Sequence, residues 1–441
     1  MRTFTRLSST ACLALGGIMM LLPACRDTSQ PHAPLTREAY IWQQQWRDPV
    51  EAAAATASRE LDSLAVLAAV IRFPKGSIAP QTQYVEVPWQ RLKEHGKPIA
   101  VVVRLGTPTP SFDVGHAEHE TGALRTAIHA TLEMLSTAGL SPSEIQVDFD
   151  CPEKKLAAYA QVMRDLRAQW PKEKWSITSL PSWLGAKGFK ELVQTTGSYI
   201  LQVHSLKLPP PGRAATLCDE QRSLHWAKQA DKVGVPFRIA LPTYRSEVLY
   251  DAGGKLLDVI SEDLPQDKTI RAASRSVAVA DPAAMARLVK QWTAEPPEHL
   301  TGLIWFRVPV EGDRRNWSMP AFLKVLQGEA PAPKLEPVVE LDPSGIWKIS
   351  IRQTGDGMAL WPLQVTVRLA SGAVVESTDA RPEYAAGTAP NGVTFQLTRD
   401  ARARVPEMPA GDPLYVGWVR GGSSKPEVSL TTATVSEMLG Q

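Results

Sequence analysis

The sequence predicts a (β/α)8 TIM barrel followed by a small all-β sandwich domain, and three observations lead to this prediction. Between residues 37 and 327, eight short apolar segments alternate with longer stretches of helical periodicity. Several of these segments are almost continuously apolar, as parallel strands covered on both faces are. Beyond residue 337, short segments alternate apolar and polar residues, which is typical of antiparallel strands.

The eight barrel strands are expected in chain order along the first region. They are Ala39–Gln44, Ala65–Arg72, Ile99–Leu105, Glu144–Asp150, Trp175–Leu180, Tyr199–Ser205, Phe237–Pro242 and Gly302–Val308. Helical patterns separate them, as at Glu153–Gln169, Ser223–Val233 and Pro282–Thr293. An open doubly wound sheet is the competing layout, but no glycine-rich phosphate loop follows any strand. The closed barrel is therefore preferred.

The second region begins after a break in the periodicity. Residues 328–337 read GEAPAPKLEP and predict a linker. Residues 338–441 then predict a β-sandwich without a convincing helix. Its strands are expected at Trp347–Gln353, Leu363–Leu369, Val374–Thr378, Val393–Leu397 and Leu414–Val419.

The N-terminus predicts export. Arg2 and Arg6 precede an apolar run, Ala11–Leu22, which is too short to span a bilayer but suits a signal peptide. The run ends Leu-Pro-Ala-Cys at Cys25, which resembles the bacterial lipobox. We therefore expect a signal peptide at 1–24 and a lipidated tether at 25–36, with membrane contact through the lipid. An ordinary signal peptide with a chance cysteine is the alternative.

By the same resemblance, Arg26 after the cysteine favours the outer membrane, facing the periplasm. Net charge is only +2, from 48 Lys and Arg against 46 Asp and Glu, so no basic excess points to nucleic acid. Cys12 would leave with the signal peptide. Cys151 and Cys218 would then share an oxidising compartment, where a disulfide and two buried thiols are both open.

The fourth strand carries the clearest chemistry. Gln146, Asp148 and Asp150 alternate along it and so share one face. Two carboxylates on one face at a strand end are costly unless they are hydrogen-bonded or used. Their proximity should raise the pKa of one of them, which a general acid needs near neutral pH.

This strand resembles that of the chitinase-type glycoside hydrolases, which carries three acids at alternate positions, the last a Glu. Gln146 and Asp148 take the first two places, Asp150 takes the place of the catalytic Glu, and Pro152 falls on the family's proline. The whole chain also resembles an uncharacterised bacterial lipoprotein family, a domain of unknown function. The resemblance implies substrate-assisted cleavage, with Asp150 as the acid and Asp148 orienting an acetamido group.

Later strands continue the resemblance and imply substrate-binding residues. The sixth strand supplies Gln202 and His204, the seventh ends near Tyr244, and the eighth carries Trp305, placed under the sugar ring, and Arg307. Two further tryptophans near strand ends, Trp42 and Trp183, favour a cleft in which sugars stack. No cofactor or metal is expected.

The sequence departs from the family at its most important position. Asp150 is one methylene shorter than Glu, so its carboxyl retreats by roughly 1.5 Å, and misplacement of about 1 Å can cost around a hundredfold in rate. Gln146 also replaces the outermost acid. Either the substrate lies deeper or hydrolysis has been lost.

Structural roles remain open for each of these residues. Asp150 could cap a helix, with Glu153 three residues on. His204 and the tryptophans could be core residues, and Arg104 or Arg307 could pair with the strand-four carboxylates. The loop Ser111–Glu120 holds His116 and His119, but their spacing lacks the context of a zinc site, so a solvated rim loop is preferred.

Three classes of function follow. The first is a glycosidase acting on an amino-sugar polysaccharide, and the second is a non-catalytic glycan binder on the same barrel. The third is a structural envelope lipoprotein that makes its contacts through the sandwich. Protein partners and oligomeric state are not defined by the sequence.

Overall fold

A computed structural model describes residues 33–204, 208–261, 271–355, 357, 359–408 and 413–439. The expected signal peptide and Cys25 lie outside these residues. Residues 34–441 form one compact unit. Within the described part of the chain, no helix is both long and apolar enough to cross a bilayer.

Eight parallel strands close into a barrel, which confirms the predicted fold. They are β1 (Thr36–Ile41), β2 (Ser63–Arg72), β4 (Ile99–Leu105), β5 (Glu144–Phe149), β6 (Trp175–Ser179), β7 (Tyr199–Gln202), β9 (Phe237–Pro242) and β13 (Leu300–Phe306). Each pairs with the next, and β1 pairs with both β2 and β13, which closes the ring. The C-terminal ends of these strands form the mouth of the barrel.

The observed strands follow the predicted ones closely, and the largest shift is at the first. β1 begins at Thr36, three residues before the predicted Ala39, and ends at Ile41. The predicted strand began too late because β1 starts with polar residues. One of them, Glu38, faces the barrel interior and pairs there with Arg238 (2.6 Å). Glu144 contacts the same guanidinium, so a buried Arg238 joins three strands at the closed end of the barrel.

Eight helices in the described part of the chain cover the barrel. They are α1 (Asp48–Ser58), α2 (Trp89–Glu94), α3 (Glu118–Thr137), α4 (Leu156–Gln169), α5 (Phe189–Thr196), α6 (Glu220–Asp231), α7 (Pro282–Ala294) and α8 (Met319–Leu326). Three begin with capping side chains: Asp219, Asp281 and Ser318 each accept a backbone N–H of the first turn. Asp150 is not a cap: Pro152 precedes the short 3-10 turn Glu153–Lys155, which has no side-chain cap.

Two insertions were not predicted. β3 (Gln81–Tyr84) pairs antiparallel with the end of β2. A second sheet, in the order β11-β10-β12-β8, consists of β8 (Ala214–Thr216), β10 (Arg245–Tyr250), β11 (Leu256–Ile260) and β12 (Ser274–Val279). Its strands are short, and β8 is separated from the rest by α6 and β9, so no local pattern joins them.

The C-terminal region forms two four-stranded sheets. One contains β14 (Leu335–Leu341), β15 (Ile346–Gln353), β20 (Leu414–Arg420) and β17 (Ser377–Ala380). The other contains β18 (Tyr384–Ala389), β19 (Gly392–Leu397), β16 (Gln364–Arg368) and β21 (Glu427–Thr431). Ile349, Val367, Phe395 and Val416 are fully buried in one apolar cluster between them, as in a sandwich.

Two details of this region differ from the sequence prediction. Two short helices occur, α9 (Arg399–Arg402) and α10 (Val435–Leu439), although none was expected. The α9 turn is fixed by Thr398, which accepts the N–H of Ala401. β14 begins at Leu335, within the segment expected to be a linker.

The inserted sheet joins the barrel to the sandwich. Val277 and Val279 of β12 are buried in the apolar cluster of the sandwich. Arg245 is the first residue of β10 and lies three residues after the mouth end of β9. It donates to the carbonyls of Arg404 and Val405 and pairs with Glu407 (2.7 Å). Burial raises the pKa of Glu407, and the Arg245 charge opposes that rise.

Candidate functional site

The barrel mouth contains a row of polar side chains on three neighbouring strands. Arg104 of β4 and Asp148 of β5 are in register, and Thr178 lies on β6. One carboxylate oxygen of Asp148 contacts the Arg104 guanidinium at 3.2 Å, and the other accepts the Thr178 hydroxyl at 2.6 Å. Both oxygens of this buried carboxylate are therefore occupied by donors.

Burial dominates the electrostatics of Asp148. It raises the pKa of this carboxyl above its usual value, and the nearby Asp150 adds to the rise. The Arg104 charge and the Thr178 hydrogen bond act in the opposite direction. The sequence predicted a raised pKa for either Asp148 or Asp150. The raised pKa is that of Asp148, which by resemblance would orient the substrate.

Asp150 occupies a different environment. Its side chain is 58% exposed, and its carboxylate lies 3.7 Å from the second nitrogen of Arg104. Arg104 therefore bridges both carboxylates, the structural pairing that the sequence left open. The residue at the place of the catalytic acid thus faces a cation rather than an open approach from the mouth.

Gln146 lies beneath the mouth, out of reach of a ligand. It is fully buried, and its amide donates to the Tyr40 hydroxyl at 2.5 Å. Gln146 holds the first of the three acid positions of the resembled strand, which implies substrate binding. It lies two residues deeper than Asp148, and its position does not support that contact. Its role is to hold Tyr40 of β1 inside the barrel.

Aromatic rings line the mouth on the side opposite Asp148. Trp42 and Phe306 meet edge to face at 4.9 Å between centroids, and Tyr40 contacts both. His204 stacks on Phe306 at 5.9 Å, and Tyr244 packs edge-on against both of these rings. We call these five residues the aromatic wall.

His204 is neutral within this wall. Burial lowers its pKa to about 4, and its Nδ1 donates to the carbonyl of Ala240 at 3.2 Å. That tautomer leaves Nε2 as a hydrogen-bond acceptor. Gln202, on the same face of β7, is partly exposed.

An open cleft of about 450 Å³ adjoins the wall. Trp42, Phe73, Arg72 and Arg104 line it, together with Gln44 and backbone at Gly106. The Arg104 guanidinium lies 5.6 Å from the centroid of the Trp42 ring, within range of a cation–π contact. The cleft therefore places guanidinium donors beside the largely buried rings of Trp42 (6% exposed) and Phe73 (9% exposed).

Three predicted binding residues lie elsewhere. Trp305 is in register with Ala39 and Leu241 and faces outward, where it packs on Trp317 and Phe322. Trp183 is 1% exposed and packs against Phe189. These two tryptophans are core residues, so their predicted place in the cleft is wrong.

Arg307 is also structural. It is buried and pairs with Asp313, six residues along the chain, rather than with Asp148 or Asp150. Its backbone exchanges hydrogen bonds with Thr243. The residue fixes the loop after β13, and its predicted contact with substrate is not supported by its position.

The structure also places the two cysteines and the histidine-containing loop that the sequence singled out. Cys151 and Cys218 are buried free thiols, so the disulfide alternative is not found. Asp113 pairs with Lys155 at 2.5 Å, and residues 113–116 are exposed. The loop expected over Ser111–Glu120 ends earlier than predicted, because α3 begins at Glu118 and Glu120 is buried. No group of three metal-ligating side chains occurs among the described residues.

Sequence reasoning missed two mouth residues. Trp305 was predicted to face the cleft, but its neighbour Phe306 faces the barrel interior. Glu38 points inward and is in register with Ile304, so alternation places Phe306, two residues on, inside as well. Arg72 follows the apolar run of β2 and read as the end of a strand. Its place in the mouth follows from Val70, two residues earlier, which is in register with Arg104, and the sequence alone does not show that register.

Part of the chain matches a known family model. Residues 95–311 are similar to DUF3142, a domain of unknown function. This DUF3142 region includes Arg104, Asp148, Asp150, His204 and Phe306. No curated protein sequence matches the chain.

Solved structures similar to the chain include chitinases. A chitinase from Chromobacterium violaceum is 13% identical with a TM-score of 0.45, covering 67% of this chain and 98% of its own. The Bacillus cereus spore cortex-lytic enzyme SleL is 11% identical with a TM-score of 0.46, covering 67% and 74%. Chitinase ChiA74 from Bacillus thuringiensis is 10% identical with a TM-score of 0.44, covering 90% and 100%.

Proposed function

We propose that this protein binds a glycan at the barrel mouth without hydrolysing it. The observation that carries the proposal is the position of Arg104, which contacts both Asp148 and Asp150 and lies beside the Trp42 ring. Trp42 and Phe73 line the adjoining cleft through a small exposed part of each ring, where the C–H groups of a sugar can pack. Arginine and glutamine side chains beside them can donate to its hydroxyls.

The same contacts argue against hydrolysis. A general acid must hold a proton near neutral pH and reach the glycosidic oxygen. Asp150 is exposed, and its carboxylate lies 3.7 Å from the Arg104 guanidinium. Asp148 has the raised pKa, but Thr178 and Arg104 already occupy its two oxygens. Each carboxyl therefore faces a partner within the barrel, and the one with the raised pKa has no free oxygen for substrate.

The test compares two tryptophans of similar size in different places. Binding of chitotetraose and of other oligosaccharides, including uronic-acid oligomers, is measured by calorimetry for wild type, Trp42→Ala and Trp226→Ala. Trp226 lies on α6 beside Arg222 and away from the mouth cleft. We expect Trp42→Ala to weaken binding at least about fivefold and Trp226→Ala to leave it unchanged. Asp150→Asn should still bind.

Two results would overturn the proposal. Turnover of a chromogenic N-acetylglucosaminide that disappears in Asp150→Asn would establish the glycosidase instead. Absence of both binding and turnover across the panel would remove both carbohydrate functions and leave a structural lipoprotein.

We further propose that the barrel is anchored in the cell envelope through a lipid on Cys25, at the outer membrane. The sequence Leu-Pro-Ala-Cys after the apolar run supports this, and amino-sugar polymers would then be the nearest glycans. Metabolic labelling with a palmitate analogue should mark wild type and Cys12→Ala but not Cys25→Ala. Equal labelling of Cys25→Ala, or no labelling of wild type, would favour an ordinary signal peptide.

A further inference from the structure

The mouth cleft carries two arginines on one face. Val70 of β2 is in register with Arg104 of β4, and Arg72 follows Val70 by two residues. Because side chains alternate along a strand, Arg72 and Arg104 lie on the same side of neighbouring strands. Both line the cleft, and among the described residues that line it there is no carboxylate side chain.

Arg72 is available to a ligand. It is exposed, and its guanidinium approaches the side-chain oxygen of Gln83 at 3.5 Å, the limit for a hydrogen bond. No ion pair involves Arg72 among the described residues. An exposed arginine that no carboxylate pairs attracts an anion.

Arg104 can share its charge with a ligand. One of its nitrogens is held 3.2 Å from the buried Asp148, while the other lies 3.7 Å from the exposed Asp150. The second contact is long and open to water, so it is weak. A ligand carboxylate could replace Asp150 there and accept hydrogen bonds from the guanidinium fork.

From these positions we infer that the bound glycan carries a carboxylate group, which Arg72 and Arg104 recognise while Trp42 holds the sugar ring. This inference rests on the proposed function. The carboxylate could belong to a uronic acid or to a lactyl ether on an amino sugar. These two sources present the same anion at different places on the ring.

Pairs of acidic and neutral oligosaccharides distinguish recognition of the carboxylate from recognition of the sugar ring. One pair is tetragalacturonate and its carboxyl-reduced neutral form, and the other is a GlcNAc–MurNAc tetrasaccharide and chitotetraose. Calorimetry of the mature protein at low salt should show at least about tenfold tighter binding of the acidic member of one pair. The preferred pair identifies the source, and added salt should reduce the preference.

Variants then test the arginines. Arg72→Gln should reduce the acid-to-neutral affinity ratio at least about fivefold, and Arg72→Lys should retain part of it. Arg59→Gln is the matched control, since it removes an exposed charge from the C-terminal end of α1, at the other end of the barrel. It should change neither affinity.

The outcomes distinguish the two proposals. Equal affinity for acidic and neutral members, or an unchanged ratio in Arg72→Gln, overturns the carboxylate inference and leaves glycan binding in place. No binding of any probe overturns both. A tighter acidic ligand whose preference falls in Arg72→Gln but not in Arg59→Gln supports the inference.

Discussion

The two ends of the barrel each hold one arginine between two carboxylates, but in very different environments. At the closed end, Arg238, Glu38 and Glu144 have side chains exposed by only 10%, 7% and 14%. At the mouth, the side chains of Arg104, Asp148 and Asp150 are 39%, 6% and 58% exposed. The closed cluster also has shorter contacts, with Arg238 at 2.6 Å from Glu38 against 3.2 Å and 3.7 Å at the mouth.

This difference separates a structural cluster from an adaptable one. Water cannot replace a lost partner at the closed end, where Thr36 and Ser176 complete the hydrogen bonds of the carboxylates. At the mouth, water or a ligand can take the place of Asp150. One arginine between two carboxylates can therefore hold three strands together at one end of the barrel and bind a ligand at the other.

Removing the closed-end arginine should have the largest effect. Arg238→Met leaves Glu38 and Glu144 buried without their cation, and we expect unfolding free energy to fall by about 3–5 kcal/mol. Urea denaturation followed by circular dichroism measures this. Arg238→Lys should recover part of the loss. A fall below about 1 kcal/mol would mean that the cluster is no more structural than a surface pair.

The equivalent change at the mouth should cost less. Arg104→Gln removes the cation beside buried Asp148, but Arg104 is partly exposed, so we expect a loss of about 1–2 kcal/mol at neutral pH. Denaturation under the same conditions provides the comparison. A loss equal to that of Arg238→Met would remove the distinction between the two clusters.

The pH dependence of stability should reveal the buried carboxyl of the mouth. The pKa of Asp148 is raised on folding, so above its ordinary value of 3.8 the folded chain keeps a proton that the unfolded chain has lost. Its contribution to stability therefore declines as pH rises from there through the raised pKa.

Asp148→Asn should remove this decline while keeping an acceptor for Thr178. The melting temperature of the variant, relative to wild type, should rise as pH increases from about 3.8. Asp150→Asn keeps Asp148 but removes the like charge that adds to the rise, so it should retain a decline that is smaller than in wild type. Parallel curves for Asp148→Asn and wild type would contradict the direction of this shift.

The smallest effect is expected at the exposed carboxylate. Asp150→Asn should change unfolding free energy by less than about 0.5 kcal/mol, because an exposed ion pair contributes little. The same urea titration measures it. A loss above about 1 kcal/mol would show that Asp150 holds Arg104 in place and that the mouth is less adaptable than its exposure indicates.

The sequence predicted the barrel well because its strands are buried on both faces. β4, for example, reads as an unbroken apolar run with Arg104 near its end, and its predicted bounds match the structure. The inserted sheet escaped prediction because β8 is only three residues long and pairs with β12 across more than fifty residues of chain. Local patterns carry no information about such a pairing.

At the candidate site, it was easier to predict which residues matter than the direction in which each side chain points. Asp148 and Asp150 were recognised from alternation, but Trp305 was assigned to the cleft although its strand register turns it outward. The pairing of Arg104 with both carboxylates depends on which strands are neighbours, which the sequence leaves open. Exposure, which separates Asp150 from Asp148, is likewise a property of the closed barrel.

The contact of Val277 and Val279 with the sandwich core bears on how this protein can be divided. Deleting the chain from residue 338 onward would leave these valines, from a sheet inserted in the barrel, without their apolar cover. It would also remove the carbonyls and the carboxylate that hold Arg245 beside the mouth. The C-terminal sandwich and the inserted sheet therefore share one apolar core. A chimaera that exchanges the sandwich must exchange the inserted sheet with it.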